Sequence, residues 1–195
     1  MAVTLNASTS SGFIQTADTS GELNLQSNGS TKLSVLSTGV SGTLVQGTAA
    51  ASTSGTSIDF TGLPSWVKKI TVMFSGVSTS GTSGLIVQIG AGSFTTSGYL
   101  GQAYSGAGIT SSTNGWYVNN NIGSANLQVG TVTISLFGSN TYIESGLVGA
   151  TTNVASLASS VGSLALGGVL DRVRITTFTG TDTFDAGSIN IQYEG

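Results

Sequence analysis

The chain has 195 residues, five Lys+Arg against eight Asp+Glu for a formal charge of −3, no His and no Cys, and nearly half of it is Ser, Thr or Gly. Without His and Cys it lacks the side chains that carry most acid–base, nucleophilic and transition-metal chemistry near neutral pH. It also lacks any disulfide framework, so packing and subunit association must stabilise it. A pI near 4.5, with Lys68-Lys69 as the only adjacent basic pair, gives no electrostatic footprint for nucleic acid.

The opening Met1-Ala2-Val3-Thr4-Leu5-Asn6 has neither a basic n-region nor a continuous apolar h-region, so Sec-type export is not expected. Residues 1–45 contain short apolar pairs, Leu23/Leu25, Leu33/Val35 and Leu44/Val45, separated by Ser, Thr and Gly. Between the first two pairs stands Asn28-Gly29, the strongest short-range hairpin signal, because both residues tolerate positive φ. So few large apolar groups cannot offset the ordering entropy of 45 residues, and the segment is expected to need partner chains. Residues 46–56 are small, uncharged and aperiodic, which reads as a linker.

From 57 onward the pattern strengthens. Alternating apolar and polar residues mark eight strands, at 57–60, 69–74, 85–89, 115–118, 129–137, 142–145, 172–178 and 189–193, punctuated by turn signals such as Gly138-Ser139-Asn140. Eight strands with one inward face each predict an all-β domain over 57–195, an antiparallel β-sandwich wound like a jelly roll. Pro64, the only proline, reads as a turn before the strand that follows it. Residues 154–170 partly match helical spacing, but Gly162, Gly167, Gly168 and many Ser make them loop and strand. The least polar stretch, 146–170, is too interrupted to supply the roughly 20 apolar residues that span a bilayer, so no membrane insertion is expected.

Candidate sites are few. Gly180-Thr181-Asp182-Thr183-Phe184-Asp185-Ala186-Gly187 offers two carboxylates and a turn glycine, a fragment of a calcium loop; an Asp-rich hairpin is the simpler reading, since calcium takes six to eight oxygens. Neither a metal nor a cofactor is expected. Arg172 and Arg174 alternate with Val173 and Ile175, so both guanidinium groups leave one face, with Asp171, Asp182 and Asp59 as available partners. Aromatics and amides concentrate at Tyr99, Tyr104, Trp116, Tyr117, Asn119, Asn120 and Asn121, the groups that stack on a pyranose and bridge its hydroxyls; the alternative is that Trp116 and Val118 are core and the triple Asn is a turn. The acids are scattered singly among turns and strand ends, so a glycosidase-type carboxylate pair is not expected, and the chain reads as no enzyme.

The run from Thr4 to Gln26, through Phe13-Ile14-Gln15 and Gly21-Glu22-Leu23, resembles the start of fibre-like virion proteins of tailed bacteriophages. The stretches Phe60 to Ser78, Leu170 to Thr176 and Phe184 to Ile191 look like the C-terminal module of the same proteins. The resemblance implies a homotrimer on the virion surface, docked on other virion proteins by its N-terminal segment, with the sandwich projecting outward; the apolar pairs of that thin segment, Leu23, Leu25, Leu33 and Val35, are the expected docking and trimer residues. Two roles fit it: a tail fibre or adhesin for host-surface glycan, and a capsid decoration (cement) protein that stabilises the head. A chain of 195 residues makes a stubby fibre, which favours the second, while the style of the sequence favours the first; the fibre is the leading expectation and the decoration protein the alternative.

Overall fold

The computed structural model describes residues 23–27, 30–36, 39–41 and 44–195, except 107, 121, 125 and 153–155. It is all-β, built from antiparallel sheets, and divides into two units, Met1–Thr43 and Leu44–Gly195. No helix among the described residues is long and apolar enough to cross a membrane.

The first unit holds a three-stranded sheet of β1 (Leu23–Ser27), β2 (Ser30–Leu36) and β3 (Gly39–Ser41). β1 and β2 pair antiparallel with Leu23 opposite Val35, Leu25 opposite Leu33 and Ser27 opposite Ser30, so the two apolar pairs of the sequence are register partners. Asn28 and Gly29 lie outside the described residues.

The second unit opens with β4 (Val45–Gln46), β5 (Ala50–Ala51), β6 (Ser57–Thr61) and β7 (Lys69–Thr79). β8 (Leu85–Ala91), β9 (Ser93–Phe94), β10 (Leu100–Ser105), β11 (Gly108–Ser111) and β12 (Trp116–Asn119) follow. β13 (Gln128–Gly138), β14 (Thr141–Ala150), β15 (Ser156–Ala165), β16 (Arg172–Thr177) and β17 (Phe184–Glu194) complete it. A nine-stranded sheet runs β11-β10-β15-β14-β13-β7-β17-β4, with β5 also on β17; a five-stranded sheet runs β12-β8-β16-β6, with β9 on β8. The stretch 46–56, expected to be a linker, is therefore partly sheet: Gln46 pairs with Gln192 and Ala50 with Ile189, and Ser52, buried, donates to the Ala186 carbonyl at 2.7 Å. Small uncharged residues suit a strand laid against a neighbouring backbone as well as they suit a connector.

One core lies between the two sheets. Ile70, Val72, Val132, Ile134, Ile189 and Ile191 of the larger sheet meet Val87, Ile89, Trp116, Val173 and Ile175 of the smaller one, an arrangement consistent with a β-sandwich. The alternation that placed Val173 and Ile175 inward against Arg172 and Arg174 is what the packing realises. Pro64 begins a turn closed by Val67 N–H donating to its carbonyl at 3.1 Å, just ahead of β7. β13 and β14 are joined by Ser139 and Asn140 at φ 48° and 59°, the two left-handed residues of a type I′ hairpin.

The seat of Trp116 explains two glycines. Gly101 and Gly162 are register partners in β10 and β15, and a Cβ on either would come within 2.8 Å and 2.2 Å of the indole. Only a pair of glycines leaves the depression into which the ring fits.

Candidate functional site

The structure disperses the aromatic and amide cluster read from the sequence. Tyr99 is fully buried: its hydroxyl takes a hydrogen bond from Ile89 N–H at 2.7 Å, donates toward the Thr95 carbonyl at 3.0 Å, and burial pushes its pKa up. Its ring meets Trp116, also 0% exposed, edge-on at 5.1 Å, so both are core and unavailable for stacking on a ligand. Asn119 is buried as well, its Nδ2 donating to Gln128 Oε1 at 2.9 Å and to Ser156 Oγ at 3.4 Å. The alternation of β12 was misleading because this strand is covered on both faces, by the sandwich core on one side and, over Tyr117, by Ala103 and Phe178 on the other. Tyr104 is exposed on β10, away from these groups, and Asn121 lies outside the described residues.

Tyr117 and Asn120 do reach a cleft. It has a volume of about 590 Å³ and is formed by the loop between β7 and β8, the loop between β16 and β17, and the ends of β11 and β12. Its aromatic wall is Phe178, 40% exposed, stacked on the nearly buried Tyr117 with ring centroids 5.3 Å apart and planes 20° from parallel. Gly84 permits this, since a Cβ there would sit 2.7 Å from the Tyr117 ring. Burial raises the pKa of the Tyr117 phenol.

The polar rim is held by hydrogen bonds between the two loops. Ser83 N–H donates to Asp182 Oδ2 at 2.9 Å, Thr179 N–H to Ser83 Oγ at 3.0 Å, and Thr183 N–H to Ser80 Oγ at 3.0 Å. Two backbone bonds, Ser80 N–H to the Thr183 carbonyl and Phe178 N–H to the Gly84 carbonyl, both 2.8 Å, complete the clamp. Across the cleft, Asn120 is fixed at both ends of its amide, accepting from Ser105 Oγ at 2.7 Å and donating to Thr110 Oγ1. A site tied in this way loses little entropy when a ligand enters.

Asp182 and Asp185, read as a fragment of a calcium loop, point to different partners. Asp182 receives Ser83 N–H, and Asp185 Oδ1 receives the Ser78 hydroxyl. Among the described residues no group of three or more His, Cys, Asp or Glu comes together. The arginine partners were foreseen in part: Arg172 pairs with Asp171 at 2.7 Å and Arg174 with Asp59 at 2.7 Å. The Arg172 guanidinium holds the Asp171 carboxyl below its ordinary value.

Sequence reasoning missed Phe178 and the hydroxyls of the 80–84 loop. The signal was there in weak form: Phe178 follows the buried Thr176 and Thr177 and so ends the strand on an exposed aromatic. In comparisons with known proteins, no family model, no curated protein and no solved structure matches the chain.

Proposed function

We propose that the chain is a non-enzymatic surface protein of a tailed-bacteriophage virion, a short homotrimeric fibre. Residues 1–45 dock it on the particle and join the copies through Leu23, Leu25, Leu33 and Val35, and the β body holds a host-surface glycan in the cleft beside Phe178. The observation that carries the binding role is that cleft: one exposed aromatic face, one carboxylate at Asp182, and a rim of hydroxyls and an amide on clamped loops. A sugar ring lays its C–H face on an aromatic ring while its hydroxyls need partners that both donate and accept. A volume near 590 Å³ falls within the range of small-molecule sites and suits one or two sugar rings.

The acids support a role without catalysis. Glu144 is enclosed between the sheets, Asp59 and Asp171 are tied to arginines, Glu194 pairs with Lys69 at 2.8 Å, and Asp185 is bound to Ser78. Among the described residues Asp182 is thus the one carboxylate that lines the cleft, where hydrolysis of a glycosidic bond calls for two.

The test is binding of full-length protein to an array of bacterial surface polysaccharides, repeated with Phe178→Ala and Asp182→Asn. Binding weakened tenfold or more in each variant, at an unchanged melting temperature, supports the reading; wild-type protein that binds no glycan, or variants that bind as it does, overturn it. The second reading, a capsid decoration protein, draws on the exposed apolar outer face of the larger sheet, which suits permanent assembly. Immunogold labelling of particles with antibody to residues 57–195 separates the two, by gold at the tail or over the head.

A further inference from the structure

Between Lys69 and Asp171 the sequence contains a single charged residue, Glu144, and the fold buries it. Strands β10, β15 and β14 are adjacent in the larger sheet, and their outward face therefore has no charge at all. That face is also apolar: Leu100 is 70% exposed, Leu157 63%, Val161 62%, Tyr104 60%, Leu147 53% and Ile143 47%.

Register arranges these side chains in a checkerboard. Ser163 lies between Leu100 and Ile143, Ser159 between Tyr104 and Leu147, and Val161 between Gln102 and Ser145. Tall apolar groups thus alternate with short hydroxyls along β15, where Leu157, Ser159, Val161 and Ser163 succeed one another, and across the strands with Ser159, Ser163, Ser145 and the amide of Gln102. Beneath Leu157, Gly149 deepens a groove of about 460 Å³ floored by Gly130 and Ala150.

We propose that this face is an interface between copies of the chain, with the β10, β15 and β14 faces of the copies in the homotrimer turned toward one another about its axis. The absence of charge argues for a second copy over a foreign partner. A face charged with one sign cannot meet itself without repulsion, whereas a hydroxyl both donates and accepts, so a face of serines and aliphatic groups is complementary to itself. A copy shifted by one row sets its leucines into the serine positions of the other. The area agrees: the six side chains leave on the order of 400 Å² of apolar surface in water, and one side of a standard interface of roughly 800 Å² contains about 500 Å², mostly free of charge at its centre. The inference concerns the β body and stands apart from glycan binding in the cleft and from the docking role of residues 1–45.

The test uses the full chain. Sedimentation at tens of micromolar is expected to give a multiple of 19.4 kDa, and Leu147→Asp with Val161→Asp, at exposed positions, is expected to weaken that association at least tenfold with circular dichroism unchanged. Because the chain has no cysteine, Val161→Cys supplies a unique thiol. It should react with a maleimide at least tenfold more slowly than the exposed Thr53→Cys, and lose that protection in the double Asp background. The second readout keeps the test valid if residues 1–45 also join the copies. A 19.4 kDa monomer overturns the proposal, as does a thiol at 161 that reacts as fast as one at 53; a monomer whose apolar face is captured by capsid subunits assigns the face to the head instead.

Discussion

Arg174 stands opposite Asp59 in the β6–β16 register and grips it with two hydrogen bonds, Nε to Oδ1 at 2.8 Å and Nη2 to Oδ2 at 2.7 Å. The same guanidinium carbon lies 4.0 Å from the centroid of Phe94, and Arg172 approaches that ring at 5.5 Å. One planar cation thus ties β6, β16 and β9 together on the outer face of the smaller sheet.

That geometry predicts that Arg174→Lys is not conservative. An ammonium cannot make the two-pronged bond or lie flat on the ring, so Lys should cost nearly as much as Ala, about 1 kcal/mol. In a double-mutant cycle by urea unfolding, Arg174 and Asp59 should couple by about 0.5–1 kcal/mol, the range for a partly exposed pair. A Lys variant as stable as wild type would show that charge alone matters there.

The Trp116 seat predicts a second outcome. Gly162→Ala places a methyl against the indole and should destabilise by about 1–3 kcal/mol, while Trp116→Ala leaves a cavity and should cost about 3–5 kcal/mol. Urea midpoints measure both. Neither substitution should alter glycan binding by the fraction that remains folded, since the Trp116 side chain enters the core and is not among the residues that line the cleft. A loss of binding with stability unchanged would return Trp116 to the list of contact residues.

How far the sequence announces this fold can be judged from particular residues. The regular alternation of 129–137 and 172–178 correctly assigns Val132, Ile134, Val173 and Ile175 to the core, because a half-buried strand writes its inward face at every second position. β10 and much of β15 escape that reading: their inward positions are the small Gly101, Ala103, Ala158, Ser160 and Gly162, of which the two glycines receive Trp116, while Leu100 and Val161 face outward. Alternation names the face a residue takes and not the neighbour a strand takes, so the pairing of β6 with β16 and of β7 with β17 is nowhere written in it. The candidate site was half legible for the same reason. Tyr117 and Asn120 were named, but Phe178 and Asp182 join them through loops some 60 residues away, and only the tertiary fold brings those together.

The Ser139-Asn140 turn gives a third prediction. Both residues occupy left-handed backbone, and glycine is the favoured residue at the second position of a type I′ hairpin. Asn140→Gly should therefore stabilise by about 0.5 kcal/mol, raising the melting temperature by about 1–2 °C. Asn140→Val, β-branched at positive φ, should lower stability by at least 1 kcal/mol, by the same strain that makes such residues rare there. A melting temperature insensitive to both would mean that the hairpin contributes nothing to the cooperative unit.

Glu144 provides the pH signature. Its side chain is enclosed between the sheets, 3% exposed, with Ser160 Oγ donating to Oε1 at 2.6 Å and uncharged Ile134 and Gly162 as register neighbours. Burial pushes its pKa from the ordinary 4.5 up to about 7, against the pull of the Ser160 hydroxyl. The folded chain therefore holds this proton at pH values where the unfolded chain has released it. Stability from this group is highest below pH 4.5, falls as pH rises from 4.5 to about 7, and levels off above, a loss on the order of 3 kcal/mol. Glu144→Gln, neutral at every pH, should flatten the unfolding free energy between pH 5 and 7 and leave the variant more stable than wild type at pH 8. The background is clean, because the chain has no His to titrate in that window. If the variant keeps the wild-type slope, Glu144 is ionised in the folded protein and the sheet interior must be more polar than its lining residues imply.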